Sequence, residues 1–165
     1  MIARQATRPL VTAGTVIGIG MGGFVDGILF HQILQLHNML SNRVLRDSLI
    51  NEQINMVWDG FFHAFTWTAV AVGILLLWRA VKRPGALLSG KALVGAMLFG
   101  WGLFNLVEGT IDHEILQIHH VYQNGNHLLW DTVFLAAGLG LMAAGWWTIQ
   151  AGFKGFAARQ ARVSV

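Results

Sequence analysis

Long apolar runs alternate with short polar stretches along the whole chain. A helix that crosses a bilayer needs roughly 20 mostly apolar residues, and four segments reach that length: residues 10–36, 53–81, 87–116 and 127–153. In hydrocarbon only helices and closed barrels satisfy all backbone hydrogen bonds, and these runs are too long for barrel strands. The pattern therefore predicts an all-α fold, an integral membrane four-helix bundle that forms a single transmembrane domain over residues 1–165.

The composition supports lipid as the solvent of this fold. Of the 165 residues, 55% are hydrophobic and only 12% are charged, whereas soluble domains have about 25% charged residues. The absence of cysteine excludes disulfides and thiolate metal sites. A net charge of +3 without a basic stripe gives no reason to expect nucleic acid as a partner.

Basic residues are distributed unequally between the two sides of the predicted membrane. One side has nine: Arg4, Arg8, Arg79, Lys82, Arg83, Lys91, Lys154, Arg159 and Arg162. The opposite side has only Arg43 and Arg46. Because cytoplasmic connections are enriched in Lys and Arg, we expect both termini to be cytoplasmic.

Two stretches 82 residues apart are nearly the same. FVDGILFHQILQLHN at 24–38 matches LVEGTIDHEILQIHH at 106–120, and the dipeptide Trp-Asp at 58–59 recurs at 130–131. Self-similarity at this length indicates an internal repeat. We therefore predict two tandem two-helix repeats, about 10–81 and 87–153, related by a pseudo-twofold axis along the membrane normal.

Ionisable residues gather at the outer ends of the predicted spans, where matching positions have matching chemistry. Such groups are rare at membrane depth and usually mark function, and carboxylates with imidazoles suit Zn, Cu or Fe. We predict a site for one or two transition metal ions there. Its candidate ligands are Asp26, His31, Asp59, His63, Glu108, His113, His119 and Asp131.

Simpler interpretations of several of these residues stay open. The simpler interpretation of four histidines is that they are solvated side chains at the helix ends: His37, His119, His120 and His127. Asp59 and Asp131 follow Trp at the start of a span, where a helix-capping charge is expected. On a regular helix of 100° per residue, Asp26 shares a face with His37, whereas His31 lies on another. Gln32 and Glu114 occupy matching positions and are candidate outer partners of the ligands.

The motifs VDGILFHQILQLHNML, WDGFFHAFTW, GWGLFNLVEGTIDHEILQIHHV and WDTVFL resemble those of the DUF2243 family. The resemblance covers roughly residues 20–147. It implies a multi-pass protein of the bacterial inner membrane with four helices, and it implies no known catalytic residues.

Several functions fit these observations. The first is metal handling, such as copper delivery to respiratory enzymes, or a metal-dependent redox or hydrolytic reaction. A proton or ion pathway would use the same acidic and histidine groups, and paired histidines could hold haem. A subunit or assembly factor of a respiratory complex would need no metal. The expected partner is the lipid bilayer. Proteins of a respiratory complex, metal-delivery proteins and a second copy of the chain are open alternatives.

Overall fold

The computed structural model of this protein describes the backbone of residues 2–163 and the side chains of residues 7–158. Those residues form four α-helices and no strand: α1 (Ile2–Phe24), α2 (Leu49–Val81), α3 (Gly90–Glu108) and α4 (His127–Val163). The side chains of Arg4, Arg159 and Arg162, which contributed to the predicted orientation, lie outside the described residues.

Four helical segments are long and apolar enough to cross a membrane: Thr7–Ile33, Leu49–Val81, Gly90–Ile115 and His127–Ala158. They agree with the four predicted spans to within five residues at each end. The all-α prediction is therefore confirmed, and the first half of α1 and the last half of α4 lie at the same end of the bundle, next to the start of α3. Which end faces the cytoplasm stays a prediction.

The two central helices, α1 and α3, pack directly against each other, while α2 packs on α1 and α4 packs on α3. Glycine allows the central pair to approach closely. A Cβ atom at Gly18 would lie 2.0 Å from the carbonyl oxygen of Met97, and one at Gly100 would lie 2.0 Å from that of Thr15. These two contacts are at matching positions, 82 residues apart. The central pair is therefore the core of the bundle.

At its C-terminal end each central helix changes from α-helix to π-helix. The segment π1 (Val25–Ile33) continues α1, and the segment π2 (Gly109–Ile115) continues α3. Their ends have matching backbone hydrogen bonds, since Leu34 donates to Leu29 and Leu116 donates to Ile111. Single-turn π-bulges often mark functional sites, and here the π-helix extends over seven to nine residues in both halves.

A left-handed residue ends each π segment and reverses the chain. Gln35 has φ of 50° and Gln117 has φ of 48°, a conformation that is uncommon outside glycine. The loop after each reversal folds back across the end of the bundle. Arg46 and Arg43 bind the freed carbonyl oxygens there, Arg46 that of Gln35 and Arg43 that of Leu116. Cationic side chains at a helix C-terminus satisfy these acceptors and complement the helix dipole.

Matching contacts therefore recur at positions 82 residues apart in the core, in the π segments and at the reversals. They agree with the predicted repeat. The twofold axis and the repeat boundaries themselves stay predictions.

Candidate metal centre

A buried polar cluster lies at the end of the bundle where the π segments finish and where α2 and α4 pass close to them. Its histidines are among the most buried side chains of the described residues. At most 1% of the surface of each is exposed, and they are His31, His37, His113 and His119. The carboxylates of Asp26, Glu108, Asp59 and Asp131 are buried with them.

In the first half of the chain, His31 lies between two carboxylates. Its Nε2 atom is 3.1 Å from Oδ2 of Asp26, and its Nδ1 atom is 3.0 Å from Oδ1 of Asp59. The expectation that Asp26 and His31 occupy different faces is wrong. In a π-helix, with hydrogen bonds over five residues, residues i and i+5 come together on one face.

Asp59 has a hydrogen-bond donor on each of its oxygens. Its Oδ1 atom accepts from the backbone N–H of Met39 as well as from His31, and its Oδ2 atom accepts from the side chains of Gln32 and Asn38. The capping alternative for Asp59 is wrong, because α2 begins ten residues earlier at Leu49. A carboxylate with four donors orients His31 and has little capacity left to bind a metal ion.

The second half of the chain repeats this arrangement around His113. Its Nε2 atom is 3.2 Å from Oε1 of Glu108, and its Nδ1 atom is 3.3 Å from Oδ1 of Asp131. Asp131 also accepts from the backbone N–H of Val121 at 3.0 Å and from Nδ1 of His120 at 2.7 Å. Asp131 is thus the counterpart of Asp59, with His120 in the place of Asn38.

His37 and His119 enter the cluster from the reversed chain beyond the π segments. Nδ1 of His37 donates to the carbonyl of Val121 at 2.9 Å, and Nδ1 of His119 donates to that of Met39 at 3.1 Å. Each half of the chain therefore orients a histidine of the other half. The alternative in which solvent surrounds these two residues is wrong, since both are 0% exposed.

The tautomer of these two histidines follows from their carbonyl partners. Both rings carry a proton on Nδ1, so Nε2 is the nitrogen that faces the cluster, and it has a lone pair where the ring is neutral. Nε2 of His119 lies 2.9 Å from Oε1 of Glu108, and Nε2 of His37 lies 3.9 Å from Oδ1 of Asp26. Burial, reinforced by the nearby His119 and His31, lowers the pKa of His37 well below its ordinary value. His37 is therefore a neutral donor of a lone pair.

Several atoms at the centre of the cluster have no hydrogen-bond partner among the described residues. They are Oδ2 of Asp26, Oε2 of Glu108, Nε2 of His31 and of His37, and both ring nitrogens of His113. Four of them lie 3.1–3.3 Å from an ion-pair partner without being aligned for a hydrogen bond: Oδ2 of Asp26, Nε2 of His31 and the two ring nitrogens of His113. An unsatisfied buried polar atom costs about 1–3 kcal/mol, so Nε2 of His37 and Oε2 of Glu108, which have no partner this close among the described residues, require an explanation.

Two sets of these residues have the spacing of metal ligands. The ligand atoms of Glu108, His113 and His119 all lie within 4.8 Å of one another, and so do those of His31, His37 and His119. Nitrogen and carboxylate oxygen in such groups suit Zn, Cu or Fe. These five residues thus face a common space, with Asp26 next to His31. Asp59 and Asp131 contact the Nδ1 atoms of His31 and His113 on the opposite side of the two rings.

Four predicted ligands lie outside both groups of mutually close ligand atoms: Asp26, Asp59, Asp131 and His63. The three aspartates form ion pairs with His31 or His113, whereas no ion pair among the described residues involves His63. Its Nδ1 atom donates to the carbonyl of Asp59 at 2.7 Å. Its Nε2 atom faces Gly27, where a Cβ atom would lie 2.8 Å away. His63 therefore fills the space beside π1.

Residues at the edge of the cluster differ in their roles. Gln32 contacts Asp59, as expected of an outer partner, whereas Glu114 is exposed. His120 is partly buried on Asp131 and stacks on His127, with 4.2 Å between ring centroids. His37 was the ligand candidate that the sequence reasoning left out. The signal that could have found it was its match to His119 in the repeat.

A family model with the description "Predicted membrane protein (DUF2243)" matches residues 13–152 of the chain. Among curated proteins and among solved structures, none matches.

Proposed function

This chain belongs to the DUF2243 family of predicted membrane proteins, and we propose that it binds one or two transition metal ions in the buried cluster. The proposed ligands are Asp26, His31, His37, Glu108, His113 and His119. Asp59 and Asp131 position two of these histidines.

The proposal depends most on the buried polar atoms that have no hydrogen-bond partner in the described part of the chain. Nε2 of His31 and of His37 and one carboxylate oxygen each of Asp26 and Glu108 have no hydrogen-bond partner among the described residues. A cation bound between them would satisfy all four, because a carboxylate oxygen and the Nε2 atom of a neutral imidazole with its proton on Nδ1 each offer a lone pair. Buried charges are stable only when they are paired or coordinate a metal.

The outer partners support the same proposal. Histidine ligands of metals usually donate the other ring N–H to a carboxylate or a backbone carbonyl, which fixes the tautomer and the ring orientation. Here Asp59 lies on Nδ1 of His31, and carbonyl oxygens lie on Nδ1 of His37 and of His119. A histidine cluster that served only packing would have no need of this common orientation.

The alternatives receive less support from the contacts. Haem held by two histidines needs a flat slot between them, but the carboxylates of Asp26 and Glu108 occupy the space among these imidazoles. A proton or ion pathway needs polar groups along the whole membrane, and the cluster lies at one end of the bundle. We place that end on the outer face of the bacterial inner membrane, where the ion would serve metal handling or a metal-dependent reaction.

The test is elemental analysis of the detergent-purified protein, prepared without a histidine tag and recorded with its visible spectrum. We expect about one or two equivalents of a transition metal, either as purified or after reconstitution with Zn, Cu, Fe or Mn. The double variant His31→Ala/His113→Ala should lose the metal. His127→Ala is the matched control, because that histidine lies outside both groups of close ligand atoms, and it should retain the metal.

Folded protein that binds none of these metals would contradict the proposal. A Soret band would support haem instead, and ion flux in liposomes that Glu108→Gln abolishes would support the pathway.

A further inference from the structure

Two apolar grooves open from the membrane-facing surface toward the cluster. Because α2 packs on α1 and α4 packs on α3, one groove remains between α2 and α3 and another between α1 and α4. Their volumes are about 570 Å³ and 410 Å³, within the range of roughly 300–1,000 Å³ that small-molecule sites have. They lie at matching places, since Trp58 lines the first and its counterpart Trp130 lines the second.

The α2–α3 groove has aromatic walls and a mouth that faces lipid. Trp58, Phe61 and Phe65 of α2 line it and are 48%, 64% and 56% exposed. Val107 forms part of the opposite wall and is 50% exposed. A molecule dissolved in the bilayer could therefore enter from the side without crossing water.

The inner end of this groove is acidic. Glu108 and Asp112 both line it, and Oε2 of Glu108 is buried without a hydrogen-bond partner among the described residues. No described donor forms a hydrogen bond with the Asp112 side chain either. The α1–α4 groove reaches Asp26, but its counterpart of Asp112 is Phe30. Only the α2–α3 groove therefore offers a carboxylate beyond those of the metal cluster.

From this arrangement we propose that the α2–α3 groove binds a membrane-dissolved aromatic molecule with a phenolic hydroxyl group, which donates its hydrogen bond to Asp112. This inference rests on the proposed function, because Glu108 at the inner end of the groove is a proposed metal ligand. The head of the bound molecule would lie next to the metal centre.

A membrane also contains lipid acyl chains and amphiphilic ammonium compounds, and the groove suits both of them less well than a phenol. A lipid acyl chain would fill the apolar part but has no donor for the Asp112 carboxylate, so it would not form the charge-assisted hydrogen bond that a phenol forms. An amphiphilic ammonium would bring a positive charge beside a metal ion. Flat aromatic rings also pack favourably against the aromatic walls.

The test measures saturable binding of 4-octylphenol to the full chain in nanodiscs, above the background of empty nanodiscs. The methyl ether of 4-octylphenol and octyltrimethylammonium are the comparison ligands. We expect the phenol to bind and the ether to bind at least about tenfold more weakly, which is the effect of losing one hydrogen bond to a charged group. Asp112→Asn should weaken phenol binding by a smaller factor, because the amide oxygen still accepts a hydrogen bond but carries no charge.

A larger side chain in the wall provides a second criterion. Val107→Trp should abolish saturable binding by filling the groove. Val94→Trp is the matched control, because Val94 is an equally exposed valine of α3, at 54%, outside the groove. It should bind the phenol like the unchanged protein.

The metal content of every sample is measured in parallel. Equal binding of phenol and ether, stronger binding of the ammonium, or unchanged binding to Val107→Trp overturns this inference, and a retained metal leaves the proposed function intact. An unchanged protein without metal overturns the proposed function. In that case the ether and Val107→Trp still decide whether the groove binds the phenol.

Discussion

The imidazole rings of His37 and His119 lie face to face, with 4.7 Å between their centroids and 5° between their planes. Each is held by a backbone carbonyl from the other half of the chain, Val121 for the first and Met39 for the second. Two imidazolium cations at this spacing would repel each other strongly in a buried site. At most one of the two rings therefore carries a charge, and the Nε2 atom of each faces a carboxylate of the cluster.

Removal of one of these rings should weaken metal binding severely. For His119→Ala we expect an affinity loss greater than the roughly 10–100-fold that loss of an outer partner costs, because a ligand common to both groups of close atoms disappears. A competition titration against a chelator of known affinity measures the change. His63→Ala is the control and should keep both stoichiometry and affinity. If His63→Ala loses the ion while His119→Ala keeps it, the ligand set is wrong.

Asp59 and Asp131 should affect metal affinity without determining how many ions bind. Asp59→Asn retains the size of the side chain but replaces one acceptor oxygen with a donor, so His31 loses one of its two charged partners. We expect metal affinity to fall about 10–100-fold with the stoichiometry unchanged. The same titration measures it, with the exposed Asp47→Asn as control. Loss of a whole equivalent of metal would show instead that Asp59 is itself a ligand.

The sequence predicted the spans and most of the cluster because those features depend on composition and on repeated residues. Apolar length alone identifies a spanning helix, and the match of His31 to His113 pointed to a shared site. The geometry within the cluster was less accessible. A regular helix places His31 away from Asp26. No pattern in the sequence indicated that the backbone changes to π-helix after Phe24 and Glu108.

The close packing of α1 and α3 should be sensitive to a single methyl group. In Gly100→Ala the new Cβ atom would lie 2.0 Å from the carbonyl oxygen of Thr15, so the helices must separate. Overpacking typically costs 1–3 kcal/mol, and we expect the free energy of unfolding in detergent to fall by about that much. Denaturation with SDS, followed by circular dichroism, measures the change.

Gly140→Ala is the matched control for that prediction. This glycine is also inside a helix, but a Cβ atom there would meet nothing within 4 Å. Because alanine is the better helix former by about 1 kcal/mol, its stability should stay the same or rise. If both variants lose the same free energy of unfolding, the cost does not come from close packing of α1 against α3 at Gly100.

The left-handed residue Gln117 links backbone conformation to the metal centre, because His119 follows two residues later. At φ of 48° a side chain costs about 1–2 kcal/mol, and a β-branched one fits worst. Gln117→Gly should therefore be tolerated, whereas Gln117→Val should lower both the stability and the metal affinity by displacing His119. The same pair of substitutions at the exposed Glu114, within π2, should give the opposite order, since glycine weakens a helix more than valine does. Thermal unfolding and the chelator titration on all four variants measure these effects. If valine is the worse substitution at both positions, or glycine is at both, the left-handed conformation of Gln117 does not position His119.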